Sequence, residues 1–474
     1  MSHILEVDLC VIGAGSGGLS VAAGAAQMGA RVVLIERDRM GGDCLNTGCV
    51  PSKALIAAAH AADAVRRSGR FGINGHEPDI DFLRVRGHVR DVIAGIAPHD
   101  SAERFERLGV TVLRASAHFT GPNEIEAGEA RVRARRFVVA TGSSPVMPPI
   151  PGLAESSALT NETVFDLDSR PDHLVVIGGG PIGAEMAQAH RRLGASVTLL
   201  QRGYILPKDD PEAVAVVRRR LSAEGVTIRE GAKVIHVGRR HNGVVVTAEI
   251  DGIPIEIAGS HLLVATGRRA DVEGLGLDAA GIEHSPKGIT VDARLRTSNR
   301  RVFAIGDVTG GYQFTHIAAY QAGIVLRNAL FHWPAKVDTR AVPWVTYTDP
   351  ELAHVGLTAA MAEEQGYSVR IVGFDLAEND RARAERETEG FAKIVVGRRG
   401  KVLGATVVGR SAGELILPWV LAISQKLGIG AMAGVIVPYP TLSEVSKRAA
   451  GAYYASTLFG PTTRKIVGLL QRFS

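Results

Sequence analysis

The sequence predicts an α/β fold: two similarly built units, each a strand, a glycine-rich turn, a helix and a second strand, followed by an α+β domain. Three observations predict it. An apolar strand, Val7 to Ile12, runs into Gly13-Ala14-Gly15-Ser16-Gly17-Gly18, then an alanine-rich helical stretch and a strand ending at Glu36. The same order returns at Leu174-Val175-Val176-Ile177 and Gly178-Gly179-Gly180-Pro181-Ile182-Gly183, with a strand ending near Gln201-Arg202. From about Val342 onward, alternating strand segments and one strong helix suggest a further domain of another kind.

A chain of 474 residues exceeds one ordinary core, so two or three domains are expected. The 55 glycines follow no strict repeat, which excludes a fibrous protein. The formal net charge of +5 is read as diffuse. It suits anionic cofactors but argues against a nucleic-acid partner. Arg218-Arg219-Arg220 reads as a solvated helix face. Three cysteines exclude a disulfide-stapled scaffold. The start lacks a signal-peptide pattern, and Pro418 and Lys426 interrupt the apolar stretch from Leu415 to Val437. A cytoplasmic protein without an integral membrane span is therefore expected.

The expected boundaries are a first nucleotide domain built from 1–150 and 271–340, a second from 151–270, and an interface domain from 341–474. Pro145, Pro148, Pro149 and Pro151 punctuate the entry to the second unit, and Ala140-Thr141-Gly142 and Ala265-Thr266-Gly267 close the two strand-rich stretches.

The glycines have separate jobs in a Rossmann-like dinucleotide-binding unit. Gly13 permits a tight turn, Gly15 lets a pyrophosphate approach the backbone, and Gly18 lets helix and strand pack closely. Gly178, Gly180 and Gly183 repeat the set. Glu36 is placed to accept hydrogen bonds from a ribose diol, so the first site is expected to hold FAD or NAD. The second copy has Gln201 there, followed by Arg202 and, further on, Lys208. Loss of the carboxylate and gain of a guanidinium predict NADPH over NADH.

The most specific segment is Gly41-Gly42-Asp43-Cys44-Leu45-Asn46-Thr47-Gly48-Cys49-Val50-Pro51-Ser52-Lys53. Two cysteines lie close together in a cysteine-poor chain. A bound metal would need further ligands, and Cys10 sits in the first strand as a small buried residue, so a redox disulfide is expected and no resident metal. The segment resembles the active-site motif of the pyridine nucleotide-disulfide oxidoreductases, and the likeness extends over both glycine motifs and the C-terminal domain.

The resemblance implies FAD in the first unit and a nicotinamide nucleotide in the second. It implies Cys49 as the flavin-facing thiol, Cys44 as the interchange thiol, and Lys53 near the flavin, paired with Glu185. Asp307 would bind the ribityl chain, Thr141 and Gly142 would close the FAD site with His316 nearby, and Gly267 would lie beside the nicotinamide nucleotide. A two-fold homodimer would bring Tyr439 and Glu444 to the partner's Cys44. Disulfide reductases of the family carry a histidine where this chain has Tyr439, a weak base at neutral pH. Mercuric reductases share the tyrosine but end in a cysteine pair, whereas this chain ends Leu470-Gln471-Arg472-Phe473-Ser474. The expected small-molecule substrate is a disulfide or related oxidised sulfur compound, with a metal ion or small electrophile as the alternative. His99-Asp100 reads as an exposed loop pair. The segment Thr463 to Phe473 reads as a terminal helix packed on the body, with a membrane-surface helix as the other reading.

Overall fold

The computed structural model describes residues 4–240 and 243–473. Strand β1 (Ile4–Ile12) is buried over Leu9, Cys10, Val11 and Ile12, because both faces of its sheet are covered. Helix α1 (Ser16–Gln27) follows and leads to β2 (Val32–Glu36), which pairs parallel to β1 with Leu9 opposite Val32 and Ile12 opposite Ile35. Val110–Arg114 lies parallel outside β2.

On the other side of β1 runs the long strand Ala130–Val139, which has two partners in succession. Its first half pairs antiparallel with Glu124–Ala127, and its last residues pair parallel with Val302–Ala304. Segments from the two ends of the first unit therefore share one sheet. Helix α1 packs against Thr315–Ala329, whose buried Ala322 and Val325 join the core formed with Val21 and Ala25. The redox segment forms a short helix α2 (Gly42–Asn46) and a long helix α3 (Cys49–Arg67).

The second repeat places His173–Ile177 between Ser196–Leu200 and His261–Val264, all parallel. An antiparallel ribbon of Lys233–Arg240, Gly243–Ile250 and Ile253–Gly259 precedes the last of these. The C-terminal domain is a five-stranded antiparallel sheet in the order Pro343–Thr346, Glu351–Gly356, Val402–Gly409, Phe391–Val396, Arg370–Asp375. Trp419 is fully buried beside it and donates from Nε1 to Ser446 Oγ at 3.0 Å.

The chain divides into two compact units. One holds the residues up to Arg202 with Arg229–Val337, and the other holds Gly203–Ile228 with the chain from Asp338 onward. Segment 203–228 thus clusters with the chain from Asp338 onward. The reason is a set of polar ties. Lys393 Nζ meets Asp210 Oδ2 at 2.9 Å and Glu212 Oε2 at 3.0 Å, Arg220 meets Glu389 at 2.7 Å, and Trp344 Nε1 donates to Asp209 Oδ1 at 2.7 Å. The terminal helix Pro461–Leu470 also departs from expectation: none of its residues is buried. No described helix is long and apolar enough to cross a membrane.

Replacing Trp419 with Ala removes the largest fully buried side chain and leaves Ser446 without its donor. Chemical denaturation of Trp419→Ala should show a loss of about 3–5 kcal/mol. A change under about 1 kcal/mol would contradict this account of the C-terminal core.

Candidate active site

The two glycine loops test whether dinucleotides fit. At Gly13 and Gly178, with φ of +99° and +110°, a Cβ would overlap the carbonyls of Ala140 and Ala265. At Gly18 and Gly183 it would overlap the carbonyls of Gly13 and Gly178. These four glycines are required by the fold itself. Gly15 and Gly180 are different: their φ values are ordinary, −79° and −73°, and a Cβ there would meet nothing within 4 Å. Each caps a twelve-residue helix, where unpaired amides and the positive end of the helix dipole face outward. Glycine at both places suits a phosphate drawn against the backbone. The residues therefore fit a dinucleotide pyrophosphate in each unit.

The strand-end residues have a second job that sequence reasoning did not assign. Glu36 accepts the Ala14 amide at 2.6 Å and the Asp38 amide at 2.8 Å, and Gln201 accepts the Gly179 amide at 2.8 Å. Both tie their glycine loop to the sheet. Arg202 is exposed beside Gln201, whereas Lys208 belongs to segment 203–228 of the C-terminal unit.

The cysteine hairpin is pressed onto the first glycine loop. Gly41 donates to Ala14 O at 2.9 Å, and a Cβ at Gly42 would lie 2.8 Å from Gly15 Cα. Cys49 is the first residue of the 19-residue helix α3, where the helix dipole favours a thiolate. Its Sγ lies 3.5 Å from Thr315 Oγ1. The two sulfurs are not bonded to each other in this structure. The hydrogen bond from Cys44 holds the Cys49 thiol below the usual range, helped by Thr315 and the charge of Lys53. Cys44 is pushed up, first by that same hydrogen bond, then by burial and the charge of Cys49. Cys10 is buried in β1, and burial pushes its thiol up.

Lys53 lies one turn further along α3, with Nζ 2.9 Å from Oε2 of the buried Glu185 on helix Pro181–Arg192. The two helices are also joined by Arg192 to Asp63 at 3.4 Å and by Arg66 to the Arg192 carbonyl at 2.6 Å. A polar chain runs on from the cysteine hairpin. Arg268 meets Asp43 Oδ2 at 3.3 Å and donates to Ser143 Oγ at 2.8 Å, and Ser143 donates to Asp307 Oδ2 at 2.6 Å. Burial raises the Asp307 carboxyl, opposed by the Ser143 hydrogen bond. Thr141 Oγ1 donates to the Asp271 carbonyl, Gly142 adopts φ +75° and Gly267 φ +134°. His316 is exposed and stacks on Phe314 at 5.2 Å. His99 is exposed, and its carbonyl accepts from Arg104.

Tyr439 and Glu444 lie in the C-terminal unit. Tyr439 is exposed and donates to Asp380 Oδ2 at 3.0 Å, while Glu444 begins the helix Glu444–Leu458. Asp380, by hydrogen bond and charge, pushes the phenol up and keeps it protonated. Sequence reasoning missed Asp380, Thr315, Ser143 and Arg268. Only Asp43 carried a local signal, as a charge next to Cys44. Among the described residues no group of three or more His, Cys, Asp or Glu side chains is arranged to hold a metal.

Two dinucleotide cradles, with a thiol pair seated against one of them, define a two-nucleotide dithiol oxidoreductase. Comparisons agree. The family described as pyridine nucleotide-disulphide oxidoreductase matches residues 7–322, and its dimerisation domain matches residues 342–450. Mercuric reductase from Streptomyces lividans is 36% identical over 454 residues, covering 94% of this chain and 96% of that one. Dihydrolipoyl dehydrogenase from Thermus scotoductus is 37% identical over 464 residues, covering 95% and 98%. The Cu(II) complex of the HOCl-induced flavoprotein disulfide reductase RclA from Escherichia coli superposes with a TM-score of 0.84 at 28% identity, covering 93% and 99%. The chain belongs to the pyridine nucleotide-disulphide oxidoreductase family, whose members depend on FAD and a pyridine nucleotide.

The glycine analysis separates two variants. Gly18→Ala should fail to fold, whereas Gly15→Ala should keep its thermal transition and lose flavin on dialysis, read by visible absorbance. Equal behaviour of the two would refute the assignment. Removing the hydroxyl in Thr315→Val should raise the pH midpoint of Cys49 alkylation by about one unit, the worth of one hydrogen bond to a charged group. An unmoved midpoint would exclude Thr315 from the thiolate's environment.

Proposed function

We propose that the protein passes electron pairs from NADPH, by way of FAD, to the Cys44–Cys49 disulfide, and from the resulting dithiol to a soft metal ion or small electrophile. The observation that carries this reading is the placement of Cys49. It heads α3, beside Thr315 and near the Lys53–Glu185 pair. When bound, FAD accepts hydride from the nicotinamide and delivers two electrons to sulfur. Gly15, Glu36, Thr141, Gly142, Asp307 and His316 would hold it, with Lys53 near its ring. Gly180, Gly267 and Arg202 would hold the nicotinamide nucleotide. Reduction breaks the S–S bond and, with uptake of one proton, leaves Cys49 as thiolate and Cys44 as thiol.

The residue at position 439 decides between acceptors. To attack a disulfide, the Cys44 thiol must first give its proton to a base. Tyr439, kept protonated by Asp380, is not one. A soft divalent ion needs no base, since bonding to sulfur displaces the proton. Likeness to mercuric reductases and to a protein solved as its Cu(II) complex supports this reading. Likeness to dihydrolipoyl dehydrogenase and the retained Glu444 favour the competing reading, an oxidised sulfur substrate. In a two-fold dimer through residues 342–450, Tyr439 and Glu444 of the partner subunit would face Cys44. A cytoplasmic setting, where thiols stay reduced, suits the dithiol.

Anaerobic NADPH oxidation should be driven by Hg(II) or Cu(II) and be slow with lipoamide or glutathione disulfide. Tyr439→His should raise disulfide turnover about a hundredfold, the usual worth of a general base. Fast lipoamide turnover by the unaltered protein would overturn the choice of acceptor. Arg202→Ala should lower kcat/KM for NADPH about tenfold and leave NADH nearly unchanged. Equal losses with both would remove Arg202 from phosphate recognition.

A further inference from the structure

The helix Pro461–Leu470 has no buried residue and is two-faced. Ile466, Val467, Leu469, Leu470 and Phe473 follow the spacing i, i+1, i+3, i+4, i+7, which gathers them on one side. Phe473 continues the pattern just past the helix end, where its amide bonds to the Leu470 carbonyl. All five are exposed, Phe473 by 83%. Leu458 and Phe459, immediately before the helix, are exposed as well. Arg464, Lys465, Gly468, Gln471 and Arg472 fall on the opposite side.

The charge of this region is one-sided. After Glu444 the chain has Lys447, Arg448, Arg464, Lys465 and Arg472 and no acidic residue. The whole chain has 54 basic and 49 acidic residues, so the remainder carries 49 of each. The basic excess that reads as diffuse along the sequence is therefore the excess of this one segment.

We infer that this helix docks the enzyme on an anionic lipid surface, lying in the plane of the headgroups. An apolar face with cations on the polar side is the pattern of a helix that buries one face at the acyl boundary while its long basic side chains reach lipid phosphates. No described helix is built to span a bilayer, so attachment is to the surface. Gly460 and Pro461 start the helix, and Thr463 Oγ1 donates to the Thr457 carbonyl at 2.7 Å, which fixes its departure from Glu444–Leu458. The redox centre does not enter this inference.

The test is co-sedimentation of the FAD-loaded full chain with vesicles of phosphatidylcholine alone or mixed with phosphatidylglycerol. Binding is expected to the mixed vesicles only and to weaken with added salt. Each cation near such a surface contributes about fivefold, so Arg464→Gln with Lys465→Gln should weaken binding about 25-fold. Leu470→Asp should abolish it while flavin content and NADPH oxidation stay unchanged, which shows an intact fold. The inference is overturned if mixed vesicles do not retain the protein or if Leu470→Asp binds as well as the parent. It is also overturned if inorganic phosphate displaces the protein more than chloride at equal ionic strength, since that marks a free-anion site. A change in the solution mass of Leu470→Asp without vesicles would assign the face to a second copy and overturn it likewise.

Discussion

Everything in the first unit depends on the close approach of two backbones, the Gly41-Gly42 turn and the Ala14-Gly15 loop. A single methyl at Gly42 would lie 2.8 Å from Gly15 Cα, so the separation allows no side chain on that face. The amide of Gly41 on Ala14 O fixes the register of the contact. This contact seats the thiol hairpin on the first glycine loop and aims the first residue of α3 at Thr315. A rigid distance between cradle and sulfur is what two-electron transfer over a short gap needs.

Charge is distributed around the hairpin with the same economy. Lys53 lies on the helix headed by Cys49, and the buried Glu185 fixes the position of its ammonium. Asp43, next to Cys44, acts in the opposite sense, raising both thiols, and Arg268 meets it from the second glycine-closing segment. The two sulfurs therefore lie between a cation that favours thiolate and an anion that disfavours it. Their asymmetry follows first from the hydrogen bond between them, which lowers Cys49 and raises Cys44.

The two nucleotide units were legible because their signals are local. Turn, helix start and strand end fall within a short run of chain, and steric need fixes glycine at each point. The thiol pair was legible for the same reason. What escaped depends on distant partners. Helix Pro211–Ala223 looks like any amphipathic helix until Lys393 and Glu389 claim its acids and arginine. Thr315 carries no motif and matters only because α3 starts opposite it. Asp380 is an ordinary helix-start carboxylate until the chain returns with Tyr439. The terminal helix has an apolar spacing that suits packing and docking equally, and only its exposure separates the two.

The long strand Ala130–Val139 has a consequence for how the chain is born. Its last residues wait for Val302–Ala304, which leave the ribosome only after the whole second repeat. The parallel core of the second repeat, from His173–Ile177 to His261–Val264, closes, among the described residues, with no strand from beyond it. Synthesis therefore presents a finished inner sheet while the outer one still has an open edge. During that interval the incomplete edge is the place where a nascent chain is exposed to mispairing.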